Sequence, residues 1–511
     1  MGRNSIRDYN ILLITADQLR YDALGCNAPW LPSFALAHMV KTPNLSKLLR
    51  RSVTFINCFT PNPICVPARA SITTGNYPHK CTGSKSNNGR IREDQPKLAE
   101  IFANQGYATY AIGKLHYVPY SPPGQPRLLH GFQYAELDEE GRIIAKFDPK
   151  GELWGLEDYH DYLRRTDWGG YERAHGIGNN DVRAAISPLP LEYYRDAWVA
   201  KRSIAIIKRH LVEKKDQPFL LWASFCKPHP PYDPPKPYHA LYDPRKTPEP
   251  LGGWDNEEIL EGRDPELVLR RRIYGWDWLS PQAVQLARSH YCSLVTLQDM
   301  MIGRILDFLE ESNLIDNTII IYTSDHGDLL GDFGRFFKRC MFNGVVKVPM
   351  IWFVPGLTDE NKDNHRCQLV GLQDILPTLC SLLNMPIPKG IDGMDLTPIL
   401  EDPKAPGRRF YVSYTYAVGQ KAMVYTSEWK YVYSEIMGVE ELYDIRKPDG
   451  ELINVALDNP DIVKEMRETL IDWCIRNGDY EMISDGKLSV KPRDILPPPV
   501  FSARHMGWRR F

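Results

Sequence analysis

Five short apolar runs, separated by helical or irregular stretches, constrain the fold of this chain most. They lie at residues 11–16, 107–112, 219–225, 318–323 and 349–354, and none contains a charged residue. Such a run is typical of a strand that is buried on both faces of a parallel sheet. Residues 286–311 carry apolar side chains at helical spacing, which indicates a long helix between two of the runs. This alternation predicts an α/β fold with a large, mostly parallel sheet flanked by helices.

The pattern changes near residue 404. Three short segments look like antiparallel strands, at residues 410–416, 422–425 and 429–433. Residues 461–477 then have the apolar stripe of a helix. We therefore predict two domains, a large α/β domain over residues 1–404 and a small α+β subdomain with an antiparallel sheet over residues 405–511. The tail from Pro497 onward is expected to be an extended arm.

Residues 120–280 lack a regular pattern outside the run at 219–225. The stretch is rich in Pro, Gly and Arg, and it carries several aromatic residues such as Trp154, Trp168 and Trp276. Long insertions in an α/β domain commonly build the rim of a site. The alternative is an irregular surface that buried aromatic side chains anchor.

Composition excludes several classes of protein. With 62 Lys and Arg against 64 Asp and Glu, the formal charge is −2, which argues against a nucleic-acid partner held by bulk charge. Ten cysteines in 511 residues do not form a disulfide framework, so reduced thiols are expected. The apolar runs are too short to cross a membrane, and the first residues lack a signal-peptide pattern. We therefore expect a soluble, cytoplasmic protein without a membrane partner; an oligomer is compatible with the C-terminal arm.

Acidic and imidazole side chains follow two of the predicted strands. Asp17 and Gln18 come directly after the first run, and Asp325 and His326 come after the run at 318–323. Open α/β sheets bind ligands at this end of their strands, and such side chains can hold one cation. The alternative for an Asp in this position is a turn or a helix N-cap.

Cys65, Pro67 and Arg69 lie at the start of a predicted short helix. The positive end of the helix and a nearby guanidinium both favour an anionic or polarised group at Cys65. The alternative is a buried structural cysteine with Arg69 in a surface ion pair.

Two pairs of basic side chains also follow strands. Lys114 and His116 come after the run at 107–112, where a strand period of two would place them on one face. Lys227 and His229 lie in a proline-rich segment that restricts the backbone and suits a positioned acid or base. Lys338 is a further candidate cation. Such groups suit an anionic substrate and its proton transfers, although a solvated Lys and a hydrogen-bonded His are the alternative.

Two long segments together resemble the signatures of a known family. Cys65-x-Pro67-x-Arg69 with Thr74-Gly75, and residues 106–116, resemble the two signature segments of the type I sulfatases of the alkaline phosphatase superfamily. The order of the candidate residues is also that of the family, over most of residues 8–400. Residues 371–400 and 441–444 resemble it as well. The resemblance implies an alkaline-phosphatase-like fold with residues 1–404 as the catalytic domain.

The resemblance also implies a modified nucleophile. In the family, a maturase oxidises the motif cysteine to formylglycine during synthesis, and the hydrated aldehyde attacks sulfur. Carried over, Cys65 would supply the nucleophilic oxygen and form a covalent sulfo-enzyme intermediate. His229, with help from Lys227, would protonate the leaving oxygen, and His116 would deprotonate the second hydroxyl to expel sulfate. The resemblance also implies that Lys114, His229 and Lys338 would bind the sulfate and that Arg69 would orient the nucleophile.

The implied metal site is a variant. Its ligands would be Asp17, Gln18, residue 65, Asp325 and His326, whereas many family members have Asp-Asp and Asp-Asn at these strand ends. Members similar to choline sulfatases and phosphonate monoester hydrolases share the variant, and residues 324–331 look like the choline-sulfatase version. One divalent cation is expected. Ca²⁺ is favoured, Mn²⁺ is close behind because an imidazole suits a transition ion, and Mg²⁺ is also compatible.

Three functions follow from these residues. The first is hydrolysis of a sulfate ester, either an oligosaccharide sulfate or a small aryl or alkyl sulfate. The alternative is a phosphonate monoester or phosphodiester hydrolase that uses the same site on a similar tetrahedral anion. A third hypothesis, an inactive protein that binds sulfated ligands, requires the loss of a catalytic group, and every group is present.

Overall fold

The computed structural model describes residues 9–359, 364–447 and 450–496. A nine-stranded sheet forms its centre, in the order β4-β3-β5-β1-β6-β7-β2-β8 with β9 also beside β2. These strands are β1 (Asn10–Asp17), β2 (Val53–Phe59), β3 (Ala108–Gly113), β4 (Tyr134–Leu137), β5 (Phe219–Pro228), β6 (Thr318–Ser324), β7 (Lys347–Phe353), β8 (His365–Arg366) and β9 (Val370–Gly371).

The helices are α1 (Pro43–Leu49), α2 (Cys65–Thr74), α3 (Pro78–Cys81), α4 (Leu98–Asn104), α5 (Arg142–Phe147), α6 (Asp158–Arg164), α7 (Arg195–Glu213), α8 (Pro265–Ile273), α9 (Pro281–Glu311), α10 (Asn343–Val346), α11 (Ile375–Leu382), α12 (Thr397–Glu401) and α13 (Pro460–Asn477). None of the helices in the described ranges combines the length and the apolar character needed to cross a bilayer.

The large sheet has a hydrophobic core on each of its two faces, and strand β1 contributes side chains to both. Leu12 and Ile14 belong to the core that α7 and α9 cover, whereas Ile11 and Leu13 belong to the core that α2 and α11 cover. A strand that buries alternate side chains on both faces must be apolar at every position, which explains the uninterrupted run. The predicted α/β fold with flanking helices is confirmed.

The sheet is mostly parallel but not wholly so. β1 runs parallel to β5 and β6, and β3 runs parallel to β4 and β5. β7 is antiparallel to both β6 and β2. The segment between β6 and β7 contains a 3₁₀ turn at Asp332–Gly334 and the single turn of α10 but no crossover helix, so the chain re-enters the sheet from the end at which it left.

Helix α7 was not predicted from the sequence, and it lies within the stretch that was expected to be irregular. Helix α7 has 19 residues and packs Trp198 and Ile206 into the core beside β5. Its buried face also includes Ser203 and His210, and these polar positions interrupt the apolar spacing on which sequence reasoning depends.

The C-terminal part forms the predicted antiparallel sheet, with a fourth strand beyond the three segments that were predicted. Its strands follow chain order: β10 (Tyr411–Tyr416), β11 (Gln420–Tyr425), β12 (Trp429–Ser434) and β13 (Val439–Asp444). Helix α13 packs Met466 and Leu470 on this sheet, and a short hairpin of β14 (Ile483–Ser484) and β15 (Lys487–Leu488) follows. The division at residue 404 stays a prediction, and the predicted arm from Pro497 lies outside the described residues.

Candidate active site

Four predicted site residues meet where β1 and β6 end and α2 begins. Asp17 is the last residue of β1, Asp325 and His326 follow β6, and Cys65 is the first residue of α2. All four are buried, and one ligand atom from each lies within 4.8 Å of the others. The parallel pairing of β1 with β6 brings the two strand ends together.

Asp325 orders this cluster. Its Oδ1 accepts hydrogen bonds from the backbone N–H of Gln18 at 3.1 Å and of His326 at 3.0 Å, and its Oδ2 accepts one from Arg69 Nε at 2.9 Å. His326 Nδ1 lies 2.9 Å from the carbonyl oxygen of Gly327. A proton on Nδ1 therefore leaves Nε2 unprotonated and directed at Cys65 Sγ, 3.2 Å away. This is the arrangement by which proteins orient a metal-binding imidazole.

The donors fit a divalent cation. The Lys338 ammonium lies 2.9 Å from Gln18 Oε1, 3.0 Å from Cys65 Sγ and 2.9 Å from His326 Nε2. Three of the predicted ligand atoms thus already converge on a positive charge. Two carboxylates, an imidazole and an amide oxygen suit either a hard cation or Mn²⁺.

The thiol of Cys65 differs chemically from the other buried thiols. Burial raises the pKa of Cys26, Cys81 and Cys292 to about 12 in each case. Burial and Asp17 act in the same direction on Cys65, but the positive charge of Lys338, together with that of His326 when its imidazole is protonated, outweighs them and lowers the pKa of Cys65 to about 7. The site therefore stabilises negative charge at this one position.

Lys114 and His116 both lie at the site, but they follow the end of β3 and are not part of the strand. β3 ends at Gly113, whose φ of 99° turns the chain, so the two side chains come to one site although residues 114–116 are no longer part of the strand. A side chain at 113 would collide with the carbonyl oxygen of Ser224 in β5, which explains the glycine. The Lys114 ammonium contacts the Asp17 carboxylate and donates to Glu140 Oε2 at 2.9 Å.

His116 lies in the cavity beside Cys65 with its ring stacked on Tyr120. Burial and the cations Arg142 and Lys114 lower the pKa of His116 well below its ordinary value. The imidazole is therefore neutral at pH 7 and has a lone pair with which to accept a proton.

His229 and Lys227 separate into two environments. His229 lines the same cavity, with Nδ1 2.8 Å from the carbonyl oxygen of Pro230 and 3.6 Å from Glu140 Oε1. Burial lowers the pKa of His229 to about 4, although Glu140 favours its charged form.

Lys227 binds the loop that carries His229. Its ammonium donates to Asp233 Oδ1 at 2.6 Å, to the Pro231 carbonyl at 2.7 Å and to the His229 carbonyl at 3.3 Å. Lys227 is also absent from the described residues that line the cavity. Lys227, which was predicted to help His229 protonate the leaving oxygen, therefore contacts the loop that positions His229.

Sequence reasoning missed the carboxylates that support the site. Asp328 accepts hydrogen bonds from the Gln18 amide and, at 2.8 Å, from the Tyr232 hydroxyl. Glu139 accepts the His116 backbone N–H at 2.7 Å, and Glu140 binds Lys114. The acidic run at 138–140 was a usable signal, but it follows β4, a four-residue strand without an apolar run.

A strained loop positions Lys338. Its neighbours Phe337 and Arg339 have φ angles of 66° and 70°, in a region that side chains of this size rarely adopt. Asp328 Oδ1 holds the loop by accepting the backbone N–H groups of Leu330 at 2.8 Å and Phe337 at 2.7 Å. Asp328 therefore fixes Gln18 through one oxygen and the Lys338 loop through the other, and strain of this kind commonly marks a functional position.

Comparisons with known proteins agree with this geometry. The family model described as Sulfatase matches residues 9–385, and the one described as N-sulphoglucosamine sulphohydrolase, C-terminal, matches residues 331–475. The chain belongs to the sulfatase family. This sulfatase is 30% identical to an arylsulfatase of Clostridium perfringens over 94% of its own length and 97% of that protein. It is 28% identical to a choline-sulfatase of Rhizobium meliloti, over 88% and 83% of the two chains.

The sulfatase fold is shared more widely. The phosphonate monoester hydrolase of Agrobacterium radiobacter superposes with a TM-score of 0.76 at 24% identity, over 95% of this chain and 100% of that one. The predicted membership in the type I sulfatases of the alkaline phosphatase superfamily is confirmed. The sulfatase is thus a hydrolase of sulfate esters, whereas the roles of its single residues stay predictions.

Proposed function

We propose that the site hydrolyses the sulfate ester of a carbohydrate or of a small aryl or alkyl alcohol through a formylglycine made from Cys65. The observation that carries the proposal is the position of Cys65, which begins α2, lies beside Asp17, Asp325 and His326, and has the Lys338 ammonium 3.0 Å from its Sγ. The oxygen of the hydrated residue would attack sulfur, form the sulfo-enzyme and release the alcohol. A proton then leaves the second hydroxyl, the bond to the sulfate breaks, and the aldehyde is restored.

Asp17, Gln18, residue 65, Asp325 and His326 would hold one divalent cation, with Ca²⁺ favoured. When bound, the cation stabilises an oxyanion at residue 65 and lowers the pKa of its hydroxyl. Arg69 orients this end of the site, because its Nε binds Asp325 and its Nη1 donates to Ser224 Oγ at 2.9 Å.

The two histidines divide the proton transfers. His116 is held neutral and accepts the proton that leaves the second hydroxyl. His229 has Glu140 beside it, and a bound sulfate ester adds a second negative charge, which raises the pKa of the imidazole. A protonated His229 then delivers its proton from Nε2 to the leaving oxygen, while Lys114 and Lys338 bind the sulfate.

The test begins with mass spectrometry of the matured protein. Trypsin releases residues 52–69 as one peptide, which contains both Cys58 and Cys65. We expect residue 65 to have lost sulfur and gained oxygen while Cys58 remains an alkylatable thiol, so the peptide carries its own control. An unmodified Cys65 in active enzyme would contradict the mechanism. A larger kcat/KM for phenyl phenylphosphonate than for para-nitrophenyl sulfate would instead favour the phosphonate hydrolase.

A further inference from the structure

The cavity beside Cys65 extends beyond the sulfate-binding groups. Its volume is about 420 Å³, and its outer lining comes from α8 with the segment after it and from the loop that carries Lys338. Arg270, Tyr274 and Trp276 line it from the first element, and Phe337 and Arg339 from the second. These side chains would face the leaving group of a substrate whose sulfate lies at Cys65.

The aromatic side chains form a wall of packed rings. Tyr274 and Trp276 stack with ring centroids 4.8 Å apart and an angle of 11° between their planes. Phe337 packs against the same Trp276 at 5.6 Å. A wall of this kind accommodates a ring, either an aryl group or the apolar face of a sugar.

The cations of the lining are paired, with one exception. Arg142 contacts Glu140, and Arg270 donates from Nε to Glu266 Oε1 at 2.7 Å. Lys338 contacts the metal-site donors. Within the described part of the chain, Arg339 has neither a carboxylate partner nor a hydrogen bond from its guanidinium.

The surroundings of Arg339 make its charge costly. It is partly buried, and burial together with the neighbouring Arg270 lowers its pKa. The charge of Glu266 acts in the opposite direction, but that carboxylate binds Arg270 and Lys421 rather than Arg339. The φ of 70° adds backbone strain at the same residue. Asp181 lines the same cavity but pairs with Arg183, so the described residues supply no carboxylate partner for Arg339 and its charge is available to an anionic ligand.

We propose that Arg339 binds a second anionic group, a carboxylate or another sulfate, on a ring-shaped leaving group that packs against Tyr274 and Trp276. This inference rests on the proposed sulfate hydrolysis and adds the substrate class to it. It also disfavours a cationic leaving group such as choline, which Arg339 and Arg270 would repel.

The test compares pairs of esters that differ only in the second charge. The probes are the ortho, meta and para sulfooxybenzoates, each with its neutral sulfooxybenzamide, and the bis-sulfate of resorcinol with its monosulfate. We expect at least one charged ester to have a kcat/KM roughly 10- to 100-fold higher than that of its neutral partner. A hydrogen bond to a charged group stabilises a complex by about this factor. Preference for a benzoate identifies a carboxylate as the second anion, and preference for the bis-sulfate alone identifies a sulfate.

Variants assign the preference to a side chain. Arg339→Met should remove most of the charged-to-neutral ratio, and Arg339→Lys should restore part of it. Arg245→Met is the matched control, because Arg245 is 87% exposed and, among the described residues, pairs only with Asp243. A ratio near one in the wild type, or a ratio that Arg339→Met does not change, would overturn the inference. Hydrolysis of the neutral esters reports separately on the proposed function, because a matured enzyme that hydrolyses none of the sulfates would contradict sulfate hydrolysis itself.

Discussion

Replacing Lys227 by Met tests whether this residue positions His229 or takes part in proton delivery. The substitution keeps the length of the side chain and removes three hydrogen bonds, to Asp233 and to the carbonyls of Pro231 and His229. Loss of one partner from a buried ion pair costs about 3–5 kcal/mol of unfolding free energy. Asp233 retains His175 at 3.1 Å and the Tyr194 hydroxyl at 3.2 Å, so we expect the lower value, about 3 kcal/mol.

The assay combines urea unfolding with kinetics. Tryptophan fluorescence follows unfolding, because Trp198 and Trp222 are buried in the large domain. Asp233→Asn should cost a similar amount, and the double variant should cost at least about 1 kcal/mol less than the sum of the two. Displacement of the His229 loop should lower kcat/KM about 10²-fold for alkyl and aryl sulfates alike.

A different pattern would refute this reasoning. If Lys227→Met left the unfolding free energy unchanged and lowered turnover only for esters with poor leaving groups, Lys227 would assist protonation of the leaving oxygen. The ammonium would then have to leave Asp233 during the reaction. The matched pair of an alkyl and a nitrophenyl sulfate distinguishes the two cases, because only the alkyl ester depends strongly on an acid.

Three further predictions concern histidines and the metal. His229→Ala should lower kcat about 10²- to 10⁴-fold for an alkyl sulfate and much less for para-nitrophenyl sulfate, and equal losses would remove His229 as the acid. Treatment with EDTA should abolish sulfate release, and His326→Asn should raise the preference for Ca²⁺ over Mn²⁺ relative to the wild type in metal titrations; unchanged ion preference would argue against His326 as a ligand. Burial, with Lys97 acting in the same direction, lowers the pKa of His130 from 6.5 to about 4, so the unfolded chain takes up a proton first as the pH falls. The unfolding free energy should therefore decrease by up to about 1.4 kcal/mol per pH unit between pH 6.5 and 4, and His130→Gln, but not the exposed His38→Gln, should remove this contribution.

The residues at the ends of β1 and β6 could be predicted from the sequence because both strands are fully buried. Uninterrupted apolar runs locate such strands, and parallel neighbours deliver their last residues to one edge. Asp17 and Asp325 follow from this argument without any knowledge of a family. The resemblance then supplied what spacing cannot, the formylglycine at Cys65 and the division of roles.

The rest depended on tertiary contacts that leave little trace in the sequence. Glu139 and Glu140 follow a strand of four residues, too short for a periodic signal. Nothing local indicates that the Lys227 ammonium points to Asp233 rather than into the cavity. The left-handed backbone at Phe337 and Arg339 has no glycine or asparagine that would predict it, and the side chain that binds the Phe337 N–H, Asp328, lies outside the segment.

Helix α8 joins the substrate cavity to the C-terminal sheet. Lys421 of β11 binds Glu266, the same carboxylate that binds Arg270, and lies 3.1 Å from Asp264. Arg263 donates to the Tyr443 hydroxyl of β13 at 3.0 Å. Chimeras that exchange the C-terminal sheet between relatives should therefore inherit a change in substrate preference along with it. The C-terminal sheet has none of the proposed catalytic groups among its described residues. Substitutions in it could therefore change the substrate preference while the catalytic residues stay the same.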